Sequence, residues 1–430
     1  MADGAVDITR HSTEWRSPDW HRERAASVPL DQIDMADGSL FAANAVWPYF
    51  ARLRREAPVH LCESADADVG RYWSVTRYED IMAVDTNHAD FSSDAFLGGI
   101  TVRNFDEDFT LPMFIAMDPP KHDAQRKVVQ PIVAPSNLAR LEPIIRERVQ
   151  EIFAGVPDDE PFDWVDKVSI ELTTGMLATL FDFPWEDRRK LTRWSDVTTA
   201  RPGHGLIDSE EQRREELLEC LAYFTNLWNQ RVNVPPGNDL ISMLAHGEST
   251  RNMAPFEFLG NLVLLIVGGN DTTRNSITGG LYGLSRQPDE FARLRANPAL
   301  IPSAVSDIIR WQTPLAHMRR TALRDVELAG VKIPKGDKVV MWYASGNRDE
   351  RVIEEPDLIR IDRENPRRHL AFGFGIHRCV GNRLAEMQLR IVWEEALARF
   401  REIEVLDEPV RVHSDFVNGY ERMMVRVKRF

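Results

Sequence analysis

Residues 372–386 constrain this chain more than any other stretch of its 430 residues. They place Cys379 behind a loop punctuated by Gly373 and Gly375, ahead of a run with Val380, Leu384, Met387 and Ile391 on one helical face. That periodicity predicts a helix over 380–399 with the cysteine at its N-terminus. Backbone N–H groups there carry partial positive charge, so a thiolate is stabilised at such a position. Any fold of this chain must bring a tight glycine loop, a thiol and a helix start together.

Around that point the chain reads as mostly helix. Helical patterns recur over 137–155, 165–181, 186–200, 209–231, 255–285, 289–296 and 301–312, and further helices start near Tyr78 and Lys121. The stretches 164–180 and 256–284 are largely apolar, as expected of buried helices. Residues 72–76 read as a strand, 326–328 and 331–333 as short paired strands around Gly330, and 339–342 as their continuation. The tail 402–430 looks like β-hairpin material. The stretch 90–112 lacks clean periodicity and reads as a long loop, the kind that often forms a functional lid. Residues 347–371 read as a meander or loop, and 1–40 as an irregular, partly ordered N-terminal arm. Length alone would suggest two or three domains. No linker divides the chain, so 41–430 is expected to be one domain, mainly α with a minor β component.

Charge and cysteine usage exclude several classes. A formal net charge of -14 argues against non-specific binding to nucleic acid or anionic membranes. Cys62, Cys220 and Cys379 are far apart, forming neither a disulfide framework nor a zinc spacing, which fits a reducing compartment. The N-terminal region has no apolar signal core, and the run 262–267 is far too short to span a bilayer. A cytoplasmic protein without a transmembrane anchor is expected.

A lone cysteine usually reads as a buried structural thiol. Here Phe372 and two glycines precede it, His377 and Arg378 adjoin it, and Gly381 follows. A phosphate-binding loop is excluded, because the Lys-Ser/Thr ending and the G-x-G-x-x-G spacing are absent. An anionic cysteine on a loop that lets a flat group approach fits a thiolate ligand to haem iron. A second cluster lies inside the apolar stretch 256–284: Gly268, Gly269, Asp271 and Thr272. Two mid-helix glycines cost about 1 kcal/mol each against alanine. A local helix kink explains the glycines but not the aspartate. Space beside the helix for a diatomic ligand, with Asp271 and Thr272 relaying protons, explains all four.

The spacing of Phe372, Gly375, Cys379 and Gly381 resembles the haem-binding loop of the cytochrome P450 superfamily, Phe-x-x-Gly-x-x-x-Cys-x-Gly. Gly268, Gly269, Asp271 and Thr272 resemble its Ala/Gly-Gly-x-Asp/Glu-Thr pattern. The resemblance implies the cytochrome P450 fold and haem b (iron protoporphyrin IX) as cofactor. It implies Cys379 as axial iron ligand, Phe372 and Gly373 in the cofactor loop, and Asp271 and Thr272 as the catalytic pair. It further implies that His122, Arg126, Arg320 and His377 bond the haem propionates, with Arg319 the alternative to Arg320. Asp307 and Arg310 stand where the superfamily has Glu-x-x-Arg, with Arg363 the candidate partner from the meander. The shorter acid is expected to reach less far.

Residues 116–126, 177–187, 309–314 and 341–349 are similar to the soluble bacterial alkane-hydroxylase family of cytochromes P450. That likeness implies a monooxygenase using O2 to hydroxylate the terminal methyl of medium-chain alkanes or fatty acids. Electrons would come from a separate ferredoxin and ferredoxin reductase, docking on Lys127, Arg367, Arg368, Arg378 and Arg383. Substrate contacts are expected from Leu97 and Val102, from Leu264, Leu265 and Gly268, and from Leu315 and Ala316. Each leucine reads equally well as core packing. The competing functions are hydroxylation of a terpene or sterol side chain, peroxide-driven turnover, and a non-catalytic haem sensor, which needs Cys379 but not Asp271 or Thr272.

Overall fold

A 31-residue helix, Pro255–Ser285, runs through the centre of the molecule. It is apolar around most of its circumference, so it is stable only when other helices cover it. Glu171–Phe181, Arg189–Thr199, Ile301–Gln312 and Asn382–Arg399 all pack against it. The computed structural model describes residues 17–104 and 107–430.

The main hydrophobic core is helical and joins these elements to Pro135–Gly155, Glu210–Arg231 and the C-terminal strands. To one side lies a five-stranded mixed sheet. Its strand order is Val59–Glu63, Arg71–Val75, Lys338–Met341, Met318–Ala322 and Phe91–Ser92. Only Arg71–Val75 and Lys338–Met341 pair in parallel. Strands Phe400–Val405 and Met424–Arg429 pair antiparallel at the C-terminus, which is the hairpin the tail predicts. Val326–Leu328 and Val331–Ile333 form the expected short pair.

Helix ends follow the local signals closely. The segments 255–285 and 301–312 have the observed limits, Pro255–Ser285 and Ile301–Gln312, each with proline in its first turn. The helix after Cys379 starts at Asn382 rather than at residue 380, because the chain needs a turn to leave the cysteine loop.

Residues 17–40 depart from the expected arm. They contain a helix, Pro18–Ser27, and a second one begins at Gly38. Ala25, Val28, Ile33 and Met35 are buried in a separate core around Phe50, Tyr72 and Trp342. Arg52 donates to the carbonyls of Ala25 and Val28, and Tyr72 donates to Asp34 at 2.8 Å. The helix has almost no apolar face of its own. Contacts from distant parts of the chain stabilise it, so periodicity could not reveal it. Residues 1–16 of the expected arm lie outside the described residues.

Candidate active site

Cys379 follows a short turn, Gly375–His377, and its N–H donates to the Phe372 carbonyl at 2.8 Å. That bond closes the loop into a ring that presents the thiol. Gly373 and Gly375 have φ of 62° and 65°, where a side chain is strained. A Cβ on Gly375 would also lie 2.6 Å from the Asp85 carbonyl oxygen. Asp85 organises the loop. It accepts from the Phe374 N–H at 2.8 Å, from the Tyr343 hydroxyl at 2.8 Å and from Arg320 at 2.8 Å. Nothing in the sequence marks Asp85, because its partners lie far along the chain.

The Cys379 side chain is solvent-accessible although the protein surrounds it densely enough to raise its pKa. Burial pushes the thiol up, opposed by the N–H groups of Gly381 and Asn382 and the charges of Arg126 and Arg378. Both facts describe a thiol facing an internal cleft. Cys62 and Cys220 are buried, and burial pushes their thiols far up.

The central helix shows the same combination. Most of it between Phe258 and Leu284 is buried, yet Leu264, Leu265, Gly268 and Thr272 keep accessible surface. Positions 264, 268 and 272 repeat every four residues, so they form one stripe. The paired glycines have different reasons. A Cβ on Gly269 would lie 2.6 Å from Leu177, whereas one on Gly268 would meet nothing within 4 Å. Gly268 therefore borders open space. The Thr272 hydroxyl donates to the Gly268 carbonyl at 2.8 Å, leaving its lone pairs free to accept.

Asp271 points the other way. Its carboxylate accepts from Ser195 at 3.0 Å, Thr199 at 3.4 Å and Asn270 at 3.0 Å, and pairs with Arg274 at 3.0 Å. Arg274 also pairs with Asp196 at 2.9 Å. Burial pushes Asp271 up to about 6, opposed by Arg274. The expected pair is thus adjacent in sequence but faces two environments. Asp196 and Ser195 were not legible, because they meet Asp271 and Arg274 only through helix packing; Arg274 itself is three residues from Asp271 on the same helix, a local spacing.

His122 and His377 are buried, with ring centroids 4.4 Å apart. His122 Nδ1 bonds Asp123 at 2.7 Å, while His122 Nε2 and both His377 nitrogens have no partner. Burial, then the charges of Arg320, His122 and Arg126, push His377 down to about 2. Arg126 donates to the Arg378 carbonyl. The cluster holds orphaned donors and mainly positive charge, so it suits an anionic group. Arg320 faces this region and is held by Asp85. Arg319 lies on the opposite side of the strand, below Leu97, and so is not the alternative to Arg320 that the sequence allowed.

Residues 229–417 match the family model described as Cytochrome P450. Linalool 8-monooxygenase of Pseudomonas putida is 36% identical over 405 residues, covering 92% of this chain and 99% of that protein. The chain belongs to the cytochrome P450 family. The methyl-branched lipid omega-hydroxylase of Mycobacterium tuberculosis (strain ATCC 25618 / H37Rv) is 32% identical over 395 residues, covering 87% of this P450 and 90% of its relative. The solved structure of CYP153D17 from Sphingomonas sp. PAMC 26605 superposes with a TM-score of 0.86 at 49% identity, covering 93% of this P450 and all of that chain.

This P450 is a monooxygenase, and its family uses haem b, O2, a hydrophobic substrate and redox partners. The residues present fit that cofactor. An accessible thiol, an open face at Gly268 and orphaned histidine nitrogens are the kinds of groups that iron, a flat ring and propionates require. No helix among the described residues is long and apolar enough to cross a membrane.

Two of the expected substrate contacts are corrected by burial. Val102 and Ala316 are 1% and 0% exposed in the Trp342 core, so neither presents surface to a cleft. Leu97 is 45% exposed. Leu315 is partly buried and bridges to Val417. Leu264, Leu265 and Gly268 stay on the accessible stripe.

Asp307 reaches further than its length suggested. It bonds Arg310, Arg363 at 2.7 Å and the Arg360 N–H at 2.7 Å, all from a fully buried position. Arg310 in turn donates to the carbonyls of Asn347, Pro356 and Leu358. The acid and two arginines thereby hold the 347–363 meander beneath the cysteine loop.

Proposed function

We propose that this P450 hydroxylates the end of a linear hydrophobic chain, a medium-chain alkane or fatty acid, with electrons from a ferredoxin. The observation that carries the reading is the accessible apolar stripe Leu264, Leu265 and Gly268, which ends at Thr272 on an otherwise buried helix. A narrow apolar wall running to a hydroxyl suits a substrate that enters end-on. The likeness to CYP153D17 and the name of the lipid omega-hydroxylase relative support it. The linalool 8-monooxygenase relative favours a second reading, an acyclic terpene.

In this proposal Cys379 is the iron ligand, and metal binding deprotonates its thiol outright. His122, Arg126 and His377 hold the propionates, and Arg320 supports them from its pair with Asp85. Bound haem supplies oxygen activation and C–H hydroxylation. The protein orients the chain and excludes water from the stripe. Asp271 holds a proton on the buried face of the central helix that meets Ser195, and Thr272 accepts or passes one at the Gly268 face. Lys127, Arg367, Arg368, Arg378 and Arg383 are all exposed around the cysteine loop and suit an acidic partner.

A panel of linear alkanes, alcohols, fatty acids and linalool tests the substrate class, read by the ferric spin shift and by product regiochemistry. Terminal products from linear chains are expected. Absence of a shift with every linear compound would sink the reading, and a shift with linalool alone would install the second.

The relay has its own test. Thr272→Ala is expected to lower product formed per electron consumed by about tenfold or more. The protonated fraction of Asp271 falls as pH rises through about 6. Product yield per electron should therefore decline between pH 6 and 8, and that decline should vanish in Asp271→Asn. Unchanged coupling in Thr272→Ala would remove the hydroxyl from the relay.

A further inference from the structure

Two buried cations lie away from the cysteine loop with no carboxylate among the described residues bonded to either. Arg319 is 6% exposed and Lys338 8% exposed. Arg319 makes only two long bonds, to Asn104 Oδ1 at 3.3 Å and to the Leu97 carbonyl at 3.4 Å, and its Nε has no partner. A guanidinium has five N–H donors, so most of its capacity is unspent. Lys338 donates to the carbonyls of Val69 and Val102 at 2.6 and 2.7 Å, which neutralise no charge. Burial pushes Arg319 down to about 10, and burial together with Arg319 pushes Lys338 down to about 7. Two like charges held together out of water are costly unless something anionic joins them.

Both residues line one cavity of about 290 Å3, with Tyr72, Trp73, Asn104 and Gly336 among its walls. Arg71 stands at its rim, half exposed. The acid in the wall, Asp337, accepts from Trp73 Nε1 at 2.7 Å and lies 3.7 Å from Arg71, so it is turned toward the rim. The turn covering Arg319 leaves Phe96 and Leu97 at the surface, 75% and 45% exposed. A Cβ on Gly98 would fall 1.9 Å from the Arg319 guanidinium, so that turn lies directly on the cation.

We infer that this cavity is a carboxylate-binding site, formed by Arg319 and Lys338 with Arg71 at its mouth and separate from the cysteine-loop cleft. The planar fork of Arg319 suits a carboxylate, and Lys338 adds a second donor. Two sources share that chemistry: a small free acid, or the head of an acyl chain lying against Phe96 and Leu97. Loop-pinning alone would need neither the cavity nor two unneutralised charges.

The test uses the holoenzyme saturated with a neutral azole whose apolar substituent fills the substrate cleft, so that acids added afterwards report on the second site. Sodium decanoate, sodium acetate and 1-decanol are titrated calorimetrically into wild type, Arg319→Gln and Arg71→Gln. One carboxylate per chain is expected to bind wild type and 1-decanol is not. Affinity should fall about tenfold or more in Arg319→Gln and about twofold to fivefold in Arg71→Gln. Decanoate tighter than acetate assigns the site to acyl chains, and equal affinity assigns it to small acids. No binding of either acid to wild type, equal binding of 1-decanol, or unchanged affinity in both variants would overturn the site. Arg71 is exposed, so its variant decides the matter even if Arg319→Gln fails to fold. Because the haem is blocked, failure of the linear-substrate reading leaves this result untouched.

Discussion

Replacing Cys379 with serine is expected to abolish hydroxylation while leaving the fold in place. The side chain is accessible and contributes little packing, so stability should change by no more than about 0.5 kcal/mol. The chemistry should change far more. A serine hydroxyl does not become an anion under the influence of two backbone N–H groups and two arginines, and it lacks the electron push of sulfur. Product formation should fall below about 1% of wild type. The reduced CO complex should lose the red-shifted Soret band of a thiolate ligand. Cys62→Ser and Cys220→Ser serve as controls, since both thiols are buried. They should keep the band. A variant lacking Cys379 that retained it would refute the assignment of the ligand.

Asp307→Ala should produce the largest loss of stability. The acid is fully buried and holds Arg310, Arg363 and the Arg360 N–H at once. Arg310 is 1% exposed, so removing the acid leaves a buried guanidinium without its counter-charge. Breaking a buried pair in this way costs about 3–5 kcal/mol. The expected result is a lower denaturant midpoint together with poor haem retention, because the meander it anchors runs directly into 372–379. Asp307→Glu should lie between the two, keeping the charge while forcing one extra methylene into a filled site, at about 1–3 kcal/mol. A midpoint for Asp307→Ala equal to wild type would show that the network is ornamental.

Local signals carried much of the architecture. The apolar run 256–284 already demanded a buried central helix, and proline in the first turn set where that helix starts. Glycine spacing before Cys379 already demanded a tight loop, and φ of 62° and 65° at Gly373 and Gly375 shows why glycine is favoured there. The pairing of Asp307 with Arg363, 56 residues apart, was reached only through family resemblance. Residues 17–40 are more regular than the expected arm, for a clear reason. Pro18–Ser27 has almost no apolar face, and its stability comes from Phe50, Tyr72 and Trp342.

What the sequence determined by itself is the chemistry available: one thiol at a helix start, two glycines and an acid–hydroxyl pair inside a buried helix, and a set of cations without local partners. Each is a matter of residues within one or two turns of one another, where spacing dictates geometry. The tertiary structure alone decided which side chains face the cleft. It turned Thr272 toward open space and Asp271 toward Ser195 and Arg274, buried Val102 and Ala316, and separated Arg320 from Arg319 across one strand. Those outcomes depend on which elements pack together, and packing is set largely by contacts between residues far apart in the chain, 76 for Asp271 with Ser195 and 235 for Arg320 with Asp85.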